Sequence, residues 1–281
     1  MRIRVTKFRE MKETGEPIVS VTAYDYMMAQ LADSAGIPLI LVGDSLGNVV
    51  LGYGSTVHVT MSDMIHHAKA VVRGASKAFI AVDLPFMSYQ ASDEEAVRNA
   101  GRIIQETGAQ AVKLEGGVRS ANAISRIVDV GIPVMGHIGL TPQSEHALGG
   151  FRIQGTGYDT ANKLLADAQA VENAGAFAVV IETVPEELSK LLTERLSIPT
   201  IGIGAGKYCD GQIQVLHDII GLSGRSPNHA KVYAALKQSV QQALLEYSDE
   251  VSSGIFPSSE HRVTMDSDVL KEIITTLNSE K

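Results

Sequence analysis

Five short apolar runs in this chain end on a side chain able to give, take or attract a proton: Asp44, Asp83, Glu115, His137 and Glu182. Lys113 stands two residues before Glu115. Residues two apart in a strand share a face, so with Val112 and Leu114 turned outward, Lys113 and Glu115 point inward together. Four carboxylates gathered in a partly dry space repel and raise one another's pKa. Lys113 and His137 offset part of that charge, and a divalent cation would offset more. An oxygen-only donor set suits Mg2+, which is held by one or two carboxylates and keeps positions for water and substrate. This chemistry casts Asp44 and Asp83 as metal ligands and Glu115 as the holder of a metal-bound water.

These residues meet only if the runs are parallel strands of one sheet. Eight runs recur, PIVSVTAYD (17–25), IPLILVGDS (37–45), AFIAVD (78–83), AQAVKLE (109–115), IPVMGH (132–137), AFAVVIE (176–182), IPTIGIG (198–204) and, more weakly, QIQVLHD (212–218). Short runs that are apolar throughout are strands buried on both faces. Helical spacing fills the gaps, as in the stripes Met27, Met28, Leu31, Ala32, Ala35 and Met64, Ile65, Ala68, Val71. Strand then helix, seven or eight times, predicts a (β/α)8 TIM barrel over about 17–222, with function at the C-terminal strand ends. The first strand ends in Thr22-Ala23-Tyr24-Asp25, not the Gly-rich turn of an open dinucleotide-binding sheet. Residues 5–15 read as a helix under the barrel floor. A helical extension is expected over about 226–281, with Tyr233, Leu236, Val240, Leu244 and Tyr247 on one helix and Val269–Leu277 on another. The whole chain reads as a single domain with added helices that pack outside the barrel or against a partner chain.

The composition narrows the function classes. The 281 residues carry a formal charge of −8, so bulk charge offers nothing to nucleic acid. No apolar run approaches the roughly 20 residues of a membrane helix, and Met1–Lys12 is too polar for a signal peptide. A single cysteine, Cys209, excludes an internal disulfide and suits a cytoplasmic protein. Each candidate also has a plainer reading. Asp44 could cap a following helix, Glu182 could favour a helix N-terminus, and Lys113 with Glu115 could be a surface pair. The Gly-rich stretch Gly202–Gly206 reads first as a tight turn and second as a phosphate loop. His66-His67 read as helix residues, and Cys209 as a thiol without a partner.

Longer blocks carry a resemblance. VTAYD (21–25), VGDSLG (42–47), DLPFMSY (83–89), KLEGG (113–117), GHIGLTPQ (136–143) and GIGAGKYCDG (202–211) resemble, in order, the 3-methyl-2-oxobutanoate (ketopantoate) hydroxymethyltransferase family over nearly all of residues 1–250. The resemblance implies a Mg2+-dependent barrel of the phosphoenolpyruvate/pyruvate type, a homodecamer in bacteria. It implies transfer of a one-carbon unit from the co-substrate 5,10-methylenetetrahydrofolate to 3-methyl-2-oxobutanoate, giving 2-dehydropantoate in pantothenate biosynthesis. Residue by residue, Asp44, Asp83 and Glu115 match the metal set. Ser45 and Lys113 match oxo-acid-binding residues with His137 beside them, the metal ligands Asp44 and Asp83 belong to the same substrate site, and Glu182 matches the proton acceptor. Gly54, Thr183 and 222–230 depart from the family pattern. The implied mechanism is a Mg2+-stabilised enolate, with the oxo acid chelating the cation and Glu182 removing the C3 proton. Two rival readings are a carbon–carbon lyase or phosphonate mutase of the same superfamily, which would place a reactive Cys in its loop, and a silent barrel that only binds an oxo acid.

Overall fold

The computed structural model describes residues 2–224 and 227–279; Ser226, where the sequence places the start of the helical extension, lies outside them. Eight strands close into a barrel in chain order, each pairing in parallel with the next and β8 with β1. They are β1 (Ile18–Thr22), β2 (Leu39–Val42), β3 (Phe79–Asp83), β4 (Ala111–Glu115), β5 (Val134–Gly139), β6 (Ala178–Glu182), β7 (Thr200–Ile203) and β8 (Gly211–Gln214). Along the chain lie α1 (Thr6–Thr14), α2 (Tyr26–Ser34), α3 (Leu46–Val49), α4 (Met61–Gly74), α5 (Asp93–Thr107), α6 (Ala121–Asp129), α7 (Glu145–Leu148), α8 (Tyr158–Asn173), α9 (Glu186–Arg195) and α10 (Leu216–Ile219).

The strand runs are apolar throughout because both of their faces are buried. Leu39, Leu41, Phe79, Ala111, Met135 and Val180 belong to the inner core, while Ile40, Val42, Ile80, Val82, Val112 and Leu114 face the helices. From below, α1 pushes Phe8 and Met11 into the inner core. The Phe8 ring meets Phe79 edge-on at 5.2 Å and Phe177 at 5.9 Å. One end of the barrel is therefore sealed with hydrocarbon, and inward polar groups collect at the other.

Three local expectations need correction. No helix separates β7 from β8. Asp210 instead ties the connection down, accepting from the Thr200 backbone N–H at 2.8 Å and from Lys12 Nζ at 2.7 Å. Gly206 turns there in the left-handed region (φ 74), and a Cβ on it would stand 2.4 Å from Glu186 Cγ. The weak eighth run stops at Gln214, because the Leu216 N–H donates to Thr22 Oγ1 and the chain turns into α10. On α2, Met27 and Leu31 lie exposed, and the buried face is Ala29, Ala32 and Asp33. Small residues win because α2 and α4 approach closely: a Cβ on Gly74 would stand 2.3 Å from Tyr26 O and 3.0 Å from the Ala29 Cβ.

The chain divides into two compact units, Met1–Tyr233 and Ala234–Lys281. The second holds α11 (Leu236–Ser253) and α12 (Ser267–Ser279), neither with a buried residue. Tyr233 precedes α11 instead of joining it, since its N–H is taken by Ile219 O at 2.7 Å. Among the described residues no helix is long and apolar enough to cross a membrane.

Asp33 gives the fold a direct test. Its carboxylate accepts from the N–H groups of Ser76, Lys77 and Ala78 and from Ser76 Oγ, at 2.7–3.0 Å. Burial opposes the charge, but these donors win and hold the group below the usual carboxylate range. Asp33→Ala is expected to cost about 2–4 kcal/mol in urea unfolding near neutral pH. A depressed folded pKa contributes stability above the unfolded pKa and loses it as pH falls through the lower folded value. The gap between Asp33→Ala and wild type should therefore narrow on acidification; a gap that widens contradicts this account.

Candidate active site

Asp44, Ser45, Asp83, Lys113, Glu115, His137 and Glu182 line one cavity of about 420 Å³ at the C-terminal ends of β2–β6. Asp83, Lys113, Glu115 and His137 lie within their strands, and each is at most 4% exposed. The surface-pair reading of Lys113 and Glu115 is thereby excluded. Asp44 comes two residues after β2, and its backbone N–H donates to Asp83 Oδ2 at 3.0 Å. The closed strand order sets β2 opposite β6, so the aspartate pair and Glu182 arise on facing walls.

The capping readings also fall away. The N-cap of α3 is Ser45, without a side-chain cap bond, while the Asp44 carboxylate accepts from Gln143 Nε2 at 2.8 Å. Ser45 Oγ lies 2.8 Å from the buried Tyr24 hydroxyl. At α9 the N-cap is Pro185, with no side-chain cap bond. His66 is exposed, and His67 Nδ1 sits 2.6 Å from Tyr24 O. Cys209 lines a separate hollow beside α1 and the β7–β8 connection, where burial pushes its thiol pKa up; a high pKa disfavours the reactive thiolate.

The charged side chains form a continuous network. Lys113 Nζ lies 2.9 Å from Asp83 Oδ1 and 3.3 Å from His137 Nδ1. His137 Nδ1 is 3.5 Å from Glu115 Oε1, and its Nε2 is 3.0 Å from Glu182 Oε2, close enough for an ion pair though off the hydrogen-bond axis. Burial and Lys113 both oppose an imidazolium, yet Glu115 and Glu182 outweigh them and carry His137 up to about 9. Burial likewise works against the Lys113 ammonium, and Asp83, Glu115 and Asp44 reverse it, holding the pKa above its ordinary value. Burial raises Asp44 first, with Asp83 and Glu115 adding to the rise. Burial also raises Asp83, against the pull of Lys113. Four carboxylates thus face one ammonium and one imidazolium, an excess of two negative charges when all are ionised.

That excess fits a divalent cation. Asp83 Oδ1 is buried without an aligned hydrogen-bond donor, and Asp44 joins it on the same wall. Among the described residues no three His, Cys, Asp or Glu side chains form a complete ligand cluster. A cation here would draw its remaining ligands from substrate and water, the habit of Mg2+. Glu115 has Oε2 on the Gln143 N–H and Oε1 toward His137, an arrangement suited to a bound water more than to direct ligation.

Sequence reasoning missed two features. Gln143, only 5% exposed, bonds to both Asp44 and Glu115; it stands in the GHIGLTPQ block, but an amide advertises no chemistry by type. Thr183, just after Glu182, has φ 52. A β-branched residue there stores strain of order 1–3 kcal/mol. The Ile203 carbonyl and the Gln154 N–H, bonded to its N–H and C=O at 2.9 Å, hold it in place.

The chain is similar to known proteins along almost its whole length. A family model described as ketopantoate hydroxymethyltransferase matches residues 2–259. A 3-methyl-2-oxobutanoate hydroxymethyltransferase from Dehalococcoides mccartyi (strain CBDB1) is 57% identical over 97% of this chain and 98% of its own. One from Chloroflexus aurantiacus (strain ATCC 29366 / DSM 635 / J-10-fl) is 58% identical over 95% and 94%. Among solved structures, phosphonopyruvate hydrolase superposes with a TM-score of 0.62 at 14% identity, covering 100% of this chain and 96% of that one. A 2,3-dimethylmalate lyase of the PEP mutase/isocitrate lyase superfamily gives 0.58 at 16%, covering 100% and 97%. At such identities these two establish the shared barrel alone. With relatives more than half identical along almost their whole length, the chain belongs to the ketopantoate hydroxymethyltransferase family and is a transferase enzyme.

Proposed function

We propose that this enzyme transfers a hydroxymethyl group from 5,10-methylenetetrahydrofolate to 3-methyl-2-oxobutanoate, giving 2-dehydropantoate for pantothenate biosynthesis, with Mg2+ as cofactor and Glu182 as base. The observation that carries the reading is a carboxylate on β6 facing an aspartate pair across a cavity whose own cations leave two negative charges unbalanced. Asp44 and Asp83 would hold Mg2+, with Glu115 behind a bound water; when bound, the ion supplies a Lewis acid toward the carboxylate and keto oxygens of a 2-oxo acid.

The remaining work belongs to the chain's own residues. Ser45, oriented by Tyr24, and Lys113, anchored on Asp83, bind the oxo acid, with His137 beside it. Glu182 takes the proton from C3. Its side chain is 15% exposed, against 4% for His137, which keeps a route for the proton to leave. His137 holds the orientation of Glu182 through the 3.0 Å contact. The Lys113 ammonium offsets negative charge growing on the keto oxygen. Water adds to the donor's methylene carbon as its bond to one folate nitrogen opens, leaving the water's second proton on that nitrogen. The C3 electron pair then attacks the same carbon as the second C–N bond breaks, and the proton held by Glu182 goes to the other nitrogen, so that tetrahydrofolate departs. Val49, Leu140, Pro142 and Phe151 in the same lining offer apolar surface to the donor's ring. A cytoplasmic homo-oligomer completes the reading, supported by the exposed Met27 and Leu31 on α2.

Glu182→Gln should slow deuterium exchange at C3 of 3-methyl-2-oxobutanoate by at least about 100-fold, in D2O without the folate donor. Oxo-acid binding should stay within a few-fold. Exchange at the wild-type rate would remove Glu182 from the role of base. Lys113→Met should weaken Mg2+-dependent oxo-acid binding more than tenfold by calorimetry, and unchanged binding would exclude Lys113 from the substrate site.

A further inference from the structure

Gln143 lies in the connection after β5, in the short 3-10 turn Pro142–Ser144. Every polar position of its side chain is used. Nε2 donates to Asp44 Oδ2 at 2.8 Å and to Leu84 O at 2.9 Å. Oε1 accepts from Tyr89 Oη at 2.7 Å and from Gln90 Nε2 at 3.0 Å. The amide has one workable orientation, since turning it over would set its oxygen against a carboxylate and a carbonyl. Tyr89 Oη reinforces that choice. It accepts from the Glu115 N–H at 3.1 Å, and its single proton has a nearer acceptor in Gln143 than in Glu115 O at 3.2 Å.

The backbone N–H of Gln143 donates to Glu115 Oε2 at 3.1 Å, and that of Asp44 donates to Asp83 Oδ2 at 3.0 Å. Each of the three carboxylates therefore has one oxygen pinned by a neutral N–H, and Gln143 supplies two of the three pins. Neutrality matters here. A Lys or Arg in this place would fix the same oxygens but cancel the negative charge that draws a dication. We infer that Gln143 is a positioning residue for a divalent cation, holding Asp44 and Glu115 each by one oxygen so that the other serves the cavity. The inference rests on the Mg2+ reading above and adds to it the device that fixes the ligand geometry. Partners that orient metal ligands in this way are worth about 10–100-fold in metal affinity.

The test uses Mn2+ as a spectroscopic substitute, with free ion measured by electron paramagnetic resonance in the presence of 3-methyl-2-oxobutanoate and without the donor, so that no turnover occurs. Gln143→Met removes the Asp44 pin and leaves the backbone pin on Glu115. It should weaken Mn2+ binding by about 10–100-fold. Tyr89→Phe removes the hydroxyl that orients the amide and also accepts from the Glu115 N–H, while leaving both Gln143 pins in place, and it should weaken Mn2+ in the same direction by a smaller factor. Thermal unfolding of each variant establishes that the folded protein is being compared. In turnover assays the Mg2+ concentration for half-maximal rate should rise by more than kcat falls, a split that loss of packing alone would not produce. If wild type binds Mn2+ and the folded variants bind it equally well, the inference is overturned while the Mg2+ reading stands. If Gln143→Met fails to fold, wild-type affinity in Tyr89→Phe overturns it. If wild type itself binds no Mn2+, both fall together.

Discussion

Uncompensated negative charge at the mouth of a closed barrel is the constraint around which this molecule is arranged. Asp44, Asp83, Glu115 and Glu182 are brought together with Lys113 and His137 as the cations in contact with them. Water is largely excluded, so repulsion is felt strongly and the two aspartates are pushed toward holding protons. Such a site costs stability until something positive joins it. On the proposed reading a dication would meet that demand, an anionic oxo acid would bind through it, and Glu182 on the facing wall would act on the substrate.

The remainder of the fold makes that arrangement affordable. Below the charged layer the interior is hydrocarbon, closed by Phe8, Phe79 and Phe177. Helices seal the outer strand faces, and Asp33 pins the turn into β3 through three backbone N–H groups. The cavity residues hang from rigid parallel strands whose registers pair Asp83 with Lys113 and Glu115 with His137. Placement of this kind is more precise than flexible loops can give.

Much of this was legible in the linear chain, for physical reasons. Runs buried on both faces mark parallel strands, so the barrel followed from counting them, and the two-residue spacing of Lys113 and Glu115 revealed a common face. The α2 stripe misled because hydrophobicity favoured Met27 and Leu31, whereas the close approach of α4 at Gly74 demanded alanines. The missing helix between β7 and β8 was hidden for a similar reason, since Asp210 acts through partners on α1 and β7 that are remote in sequence. Gln143 could not be found by residue type. Its importance arises only when Leu84, Tyr89, Gln90, Asp44 and Glu115 converge on it.

The central claim is that the acidic wall, once it holds a dication, makes the C3 proton of a 2-oxo acid removable before any donor is present. Proton NMR of 3-methyl-2-oxobutanoate in D2O with the wild-type enzyme measures this directly, first with Mg2+ and then after chelation of the metal. The account predicts loss of the C3–H signal with Mg2+ and without folate, and its persistence once the metal is chelated. Exchange that is equally fast after chelation, or that never occurs until the folate donor is added, would contradict it.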